Sequence, residues 1–108
     1  MTIDEAKLTS FMDAAVGDLG SAISGLMVYL GDQLGLYRAM AGAGALTSAE
    51  VAGRAGCDER YVREWLSNQA AAGYVVYDPA SGTFELPAEH ALTLADADSP
   101  VFVCGGYQ

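Results

Sequence analysis

The sequence predicts a mainly α fold: a winged helix-turn-helix with a small β-hairpin wing, preceded by long N-terminal helices suited to dimerisation. Three observations predict it. Apolar side chains recur at Met12, Val16, Leu19, Ile23, Leu26 and Leu30 in strict four-three alternation, the spacing of a helix carrying one apolar stripe. Two helical segments with good capping residues flank a glycine turn between Thr47 and Gly73. Two short β-type runs separated by turn-forming residues follow at once.

Composition sets the frame for this reading. The chain has 108 residues, 14 acidic against 5 basic side chains and a formal net charge of -9. At this size folding hides roughly 65% of the unfolded surface, which supports one core. A hydrophobic share of 52% with only 18% charged residues is the reverse of a disordered composition. The longest apolar run, Ala22 to Leu30, is interrupted by Ser24 and Gly25 and is shorter than the ~20 residues of a membrane span. Asp4 and Glu5 stand where a secretory leader carries Lys or Arg, so no membrane and a cytoplasmic location are expected. Cys57 and Cys104 are far apart, without a CxxC or a neighbouring histidine. They read as small apolar thiols rather than zinc ligands or a disulfide framework.

Taken in order, residues 1–45 form an N-terminal helical dimerisation segment. The stripe continues less strictly through Leu34 and Tyr37, while Asp13, Asp18, Asp32 and Gln33 fall off it. Gly17, Gly20, Gly25, Gly31 and Gly35 thin the stretch, each costing about 1 kcal/mol relative to Ala inside a helix. A break is therefore expected near Gly17 to Ser21, with Asp18 or Ser21 capping a second helix that runs to about Ala41. Gly31 and Gly35, one turn apart, are candidates for close backbone approach. The stripe reads either as internal core or as a surface for a second copy; the glycine-thinned faces favour the second. Met12, Val16, Leu19, Ile23, Leu26 and Leu30 are its candidate interface residues.

Residues 46–96 form the winged unit. Thr47 to Glu50 make a capping box, opening a helix that turns Val51, Ala52 and Ala55 inward and ends at Gly56, a residue suited to the left-handed C-cap. Asp58 caps the next helix, with Glu59 in its first turn. Val62, Leu66 and Ala70 give that helix its inward face, with Tyr61 and Trp65 adding aromatic bulk beside it. Tyr74 to Tyr77 and Thr83 to Leu86 read as strands around the Asp78 to Gly82 turn. Pro87 then starts a short helix to about Leu94. Residues 97–108, with Val101 to Val103, read as the start of a connector.

A helix-turn-helix first suggests DNA, and the charges argue against it. Duplex affinity needs Lys and Arg against phosphates. The five cations are Lys7, Arg38, Arg54, Arg60 and Arg63, and the hairpin has none. Glu59 stands four residues before Arg63, and Arg60 four before Glu64, so both arginines of the recognition helix have intrahelical partners. A nucleic-acid partner is not expected.

Enzymatic constellations are equally thin. The single histidine, His90, lies beside Glu89 with no nucleophile at a useful spacing, and reads as an exposed residue on a short helix. Glu85 and Glu89 read as solvated charges. Gly42 and Gly44 form a GxG before a helix, but Thr47 stands where a third glycine belongs and a helix rather than a strand precedes them, so no nucleotide loop is encoded. No catalytic, cofactor-binding or metal-ligating residue is assigned to this chain.

The run Asp58-Glu59-Arg60-Tyr61-Val62-Arg63-Glu64-Trp65-Leu66 is preceded by Thr47-Ser48-Ala49-Glu50-Val51-Ala52 and followed by Tyr77-Asp78-Pro79 and Leu86-Pro87-Ala88-Glu89-His90. Together with Leu34-Gly35-Leu36-Tyr37-Arg38-Ala39-Met40 upstream, it resembles the N-terminal winged-helix domain of bacterial class I S-adenosylmethionine-dependent methyltransferases, from about Phe11 to Gln108. The resemblance implies a homodimerising domain that covers the substrate pocket. Cofactor and catalytic groups would lie in a downstream Rossmann-like catalytic domain, which needs on the order of 100 to 200 further residues. S-adenosylmethionine is then the cofactor of the parent protein, and the chain alone is inactive. A stand-alone winged-helix transcriptional regulator or dimeric scaffold is the alternative.

Overall fold

The computed structural model describes residues 2–100 and 102. Five helices and one hairpin follow one another as α1 (Glu5–Gln33), α2 (Leu36–Met40), α3 (Ser48–Ala55), α4 (Glu59–Ala71), β1 (Val76–Asp78), β2 (Thr83–Glu85) and α5 (Ala88–Leu94). This is the winged helix-turn-helix order that the sequence predicts. The hairpin is antiparallel, with Val76 opposite Glu85, Tyr77 opposite Phe84 and Asp78 opposite Thr83. Leu46 adds a single bridge to Phe84, with amide and carbonyl exchanged at 2.8 and 2.7 Å.

Local chemistry sets most element ends. Thr47 and Glu50 form the capping box: the Glu50 amide donates to Thr47 Oγ1 at 3.2 Å, and the Thr47 amide donates to Glu50 Oε1 at 2.9 Å. The bond from the Thr47 backbone holds the Glu50 carboxyl below its ordinary pKa. Gly56 closes α3 at φ 67°, a left-handed conformation that L side chains avoid. Asp58 caps α4 by accepting from the Arg60 amide at 2.9 Å. The strands are shorter than expected: β1 begins at Val76 because the Tyr74 and Val75 amides both turn back to the Gln69 carbonyl.

The expected break near Gly17 to Ser21 does not occur. α1 runs 29 residues without interruption, about 43 Å at 1.5 Å per residue. Its cap is Asp4, which accepts from the Ala6 and Lys7 amides, so neither Asp18 nor Ser21 starts a helix. The glycines lower helix propensity without ending the helix, because propensity is a weak prior in a long continuous segment. The chain turns instead at Gly35, whose φ of 72° is left-handed, and α2 is a five-residue helix ending at Met40.

The core joins α1's last turns to the winged unit. Val28, Leu36, Tyr37, Met40, Val51, Val62, Trp65, Leu66, Val75, Phe84, Leu86 and Leu94 are buried together. Tyr37 and Trp65 meet edge-to-face with ring centroids 5.0 Å apart. The Tyr37 hydroxyl donates to Gln69 Oε1, itself fully buried, and the Trp65 indole N–H donates to the Met27 carbonyl at 2.8 Å. Gly31 is what lets the rings approach. A Cβ there would lie 2.5 Å from Trp65 and 2.7 Å from Tyr37. The expected backbone approach at Gly31 is thus taken up inside the chain by two rings, and Gly35 serves the turn.

Several smaller expectations are corrected. Tyr61 is 75% exposed while Trp65 is buried: the two stand one turn apart on α4, and it is Trp65 that meets the Tyr37 ring and the Met27 carbonyl, with Tyr61 at the rim of the same groove. The Glu59–Arg63 pair forms at 3.7 Å, whereas no ion pair joins Arg60 to Glu64 among the described residues. Cys57 is a half-buried free thiol; Cys104, Val101 and Val103 lie outside the described residues. Phe102 packs against the core.

Candidate dimerisation surface

The apolar stripe read from the sequence lies on a helix whose first turns touch little of their own chain. Met12, Val16, Leu19, Ile23 and Leu26 are between 50% and 66% exposed, and Leu8 and Phe11 fall in the same range. Every residue from Glu5 to Met27 stands outside the buried core, which begins on α1 at Val28. The radius of gyration, 16.5 Å, exceeds the ~13 Å of a compact chain of this length. The projecting helix accounts for the excess.

The stripe also faces the wrong way to be core. Val28, Gly31 and Asp32 are the buried positions of α1. Leu26 is two residues from Val28, hence about 200° around the helix, and Ile23, Leu19, Val16 and Met12 continue on Leu26's side at heptad spacing. α1 therefore buries one face in its own body and presents apolar side chains on nearly the opposite face. Leu30 is the exception among the six candidates. It is half-buried at the edge of an apolar groove of about 410 Å³, shared with Met27, Leu34, Leu36, Tyr61 and Trp65. The groove and the stripe form one continuous apolar surface.

By length and composition α1 is also able to cross a membrane, contrary to the expectation drawn from its interrupted apolar run. Asp13 and Asp18 weigh against that use. Each would cost roughly 2.5 to 3.5 kcal/mol near a bilayer centre, whereas beside a one-sided stripe both stay in water.

The remaining candidate chemistry is structural. His90 is half-buried rather than exposed, and its Nδ1 lies 2.7 Å from the Tyr74 carbonyl oxygen. A carbonyl only accepts, so Nδ1 donates, and in the neutral ring Nε2 is left as an acceptor. The bond ties α5 to the segment leaving α4, a tertiary role that the sequence reading missed. Glu85 and Glu89 are exposed as expected. Asp32 is buried and paired with Arg38 at 3.0 Å, which braces the Gly35 turn. Among the described residues no group of three or more His, Cys, Asp or Glu side chains is placed to hold a metal ion.

Two alternative sites fail on geometry. Gly42 and Gly44 both adopt positive φ, 69° and 73°, but their loop joins helix α2 to helix α3, whereas a nucleotide loop joins a strand to a helix. These residues do not fit S-adenosylmethionine. On the would-be recognition helix α4, Arg63 is held by Glu59, and β1 and β2 carry no cation.

The comparisons with known proteins agree with this architecture. A family model, the Rv2258c-like winged HTH domain, matches residues 22–96. Among solved structures, the Mitomycin 7-O-methyltransferase MmcR superposes with a TM-score of 0.78 at 22% identity, over 91% of this chain and 29% of that one. PigF with SAH gives 0.72 at 22% identity, over 86% of this chain and 30% of that one. The N,N-8-amino-8-demethyl-D-riboflavin dimethyltransferase RosA from Streptomyces davawensis gives 0.55 at 23% identity, over 92% and 27%. At these identities the likeness is one of fold, and the chain spans about 30% or less of each structure's length. No curated protein matches the chain. With its helix, turn, helix and wing in place and three quarters of a hundred residues covered by the family model, the chain belongs to the Rv2258c-like winged helix-turn-helix domains.

Proposed function

We propose that this chain is the homodimerising, substrate-capping N-terminal domain of an S-adenosylmethionine-dependent methyltransferase, catalytically inactive by itself. The observation that carries the proposal is the exposed apolar stripe of α1, turned away from the core formed by the described residues. A contiguous apolar surface of this kind marks an interaction site on a folded protein. Support for the methyltransferase setting comes from MmcR and RosA, both named as methyltransferases, and from the SAH in the PigF structure. In this reading residues 1–45 dimerise, 46–96 cover the substrate, and 97–108 lead toward a catalytic domain that supplies the cofactor site. A cytoplasmic location belongs to the same reading.

Light scattering tests the dimer directly. The chain runs as a dimer, and Ile23→Asp or Leu26→Asp converts it to a monomer with its helical circular dichroism retained; a wild-type monomer at high concentration refutes the reading. Calorimetry tests the division of labour, with no S-adenosylmethionine binding expected for residues 1–108 and micromolar affinity refuting it. For a stand-alone regulator, a gel shift whose midpoint moves steeply with salt is the expected signature. The charge-poor wing and the Glu59–Arg63 pair favour the capping role over that one.

A further inference from the structure

We propose that two copies pair through α1 in antiparallel orientation, with the two-fold axis crossing the helix at the level of Ser21. The inference rests on the dimer reading and specifies its geometry. Three observations carry it.

The first is the distribution of charge along α1. Residues 4–18 contain Asp4, Glu5, Lys7, Asp13 and Asp18, while residues 19–33 contain one charged side chain, Asp32, buried against its own body and paired with Arg38. Parallel pairing stacks two acidic halves on each other, and like charges facing across a helix pair are unfavourable. Antiparallel pairing sets each acidic half against a half with no exposed charge.

The second is register. Val16, Ile23 and Leu30 occupy one seam position of the heptad, and Met12, Leu19 and Leu26 the other. In an antiparallel seam the two kinds of position alternate across the interface. With the axis at Ser21, Leu19 meets Ile23 of the second copy, Val16 meets Leu26, and Met12 meets Leu30, so all six candidates are used. Sliding the axis by half a heptad toward the N-terminus brings Thr9 and Glu5 into the seam opposite Leu26 and Leu30 and leaves the groove facing a carboxylate.

The third is extent. A stable interface takes on the order of 20 to 30 residues from each partner. The stripe from Met12 to Leu30 runs about 27 Å at 1.5 Å per residue, and with the groove that continues it it supplies the apolar centre of such an interface, while the flanking residues of the same helix face supply its rim.

Disulfide trapping tests the orientation, in chains where Cys57 and Cys104 are replaced by Ser. Val16→Cys and Leu26→Cys chains are prepared separately, mixed, equilibrated and oxidised. A covalent dimer in the mixture, and in neither variant alone, is the expected result. Crosslinking of Val16→Cys with itself indicates a parallel pair and overturns the proposal, as does crosslinking in a Met12→Cys and Ile23→Cys mixture without crosslinking in the first. Light scattering of the same samples separates the two levels. A dimer that fails to crosslink refutes this geometry alone, whereas a monomer refutes the dimer reading with it.

Discussion

Gly17 and Gly31 lie on one helix, about four turns apart, and meet opposite surroundings. Around Gly17 a Cβ would meet nothing within 4 Å; at Gly31 it would strike Trp65 and Tyr37. The same contrast separates the outer turns of α1 from the winged body. In the body the core side chains pack on one another, and α3 and α4 are capped by Thr47 and Asp58 next to them in sequence. Along the outer turns the apolar side chains are as regularly spaced but have no internal partner. Spacing alone therefore identifies an apolar face, and only the fold shows whether the same chain covers it.

Substitutions that probe the two regions sharpen the contrast. Trp65→Ala has the largest expected effect, a loss of about 3 to 5 kcal/mol in chemical denaturation, because it removes both the ring packing on Gly31 and the hydrogen bond to α1. Gly31→Ala follows, at about 1 to 3 kcal/mol, since rigid rings cannot yield to the new methyl group. Gly17→Ala reverses the sign and stabilises by roughly 0.5 to 1 kcal/mol, read as a rise in melting temperature. Equal effects of the two glycine substitutions would erase the distinction between the regions. In the body, Thr47→Ala costs about 1 kcal/mol through its lost cap.

The smallest expected effect is a pH dependence. Glu50's carboxyl is held below its ordinary range by the Thr47 amide, so its folded pKa lies under its unfolded one. The stabilisation is full above the unfolded value and disappears as pH falls through the folded one. Thermal melts of wild type and Glu50→Gln should converge on acidification below the carboxylate range. A gap that widens there would contradict the capping geometry.

The legible parts of the fold are those written in neighbouring residues. Thr47 to Glu50, Gly56, Asp58 and the Asp78 to Gly82 turn each satisfy backbone groups a few positions away, so local chemistry reveals them. The heptad spacing of the stripe is legible for the same reason, but its exposure is not, since the same spacing fits internal core. What the sequence did not disclose depends on partners more than a dozen residues distant. The use of Gly31 as a seat for two rings, the half-burial of Leu30 and the His90 bond to Tyr74 all require the tertiary arrangement, whereas the continuity of α1 was missed because single glycines lower helix propensity without ending a helix. Arg60 shows the converse error, since favourable spacing to Glu64 did not produce an ion pair.

Trp65 is the only tryptophan in the chain, and its indole N–H is bonded to a carbonyl of α1. Its fluorescence is consequently an intrinsic gauge of whether the long helix is seated. Swinging the helix away wets the indole and moves its emission to the red, without any label being attached. Assembly and loosening at that joint are thus readable by one optical signal from the unmodified polypeptide.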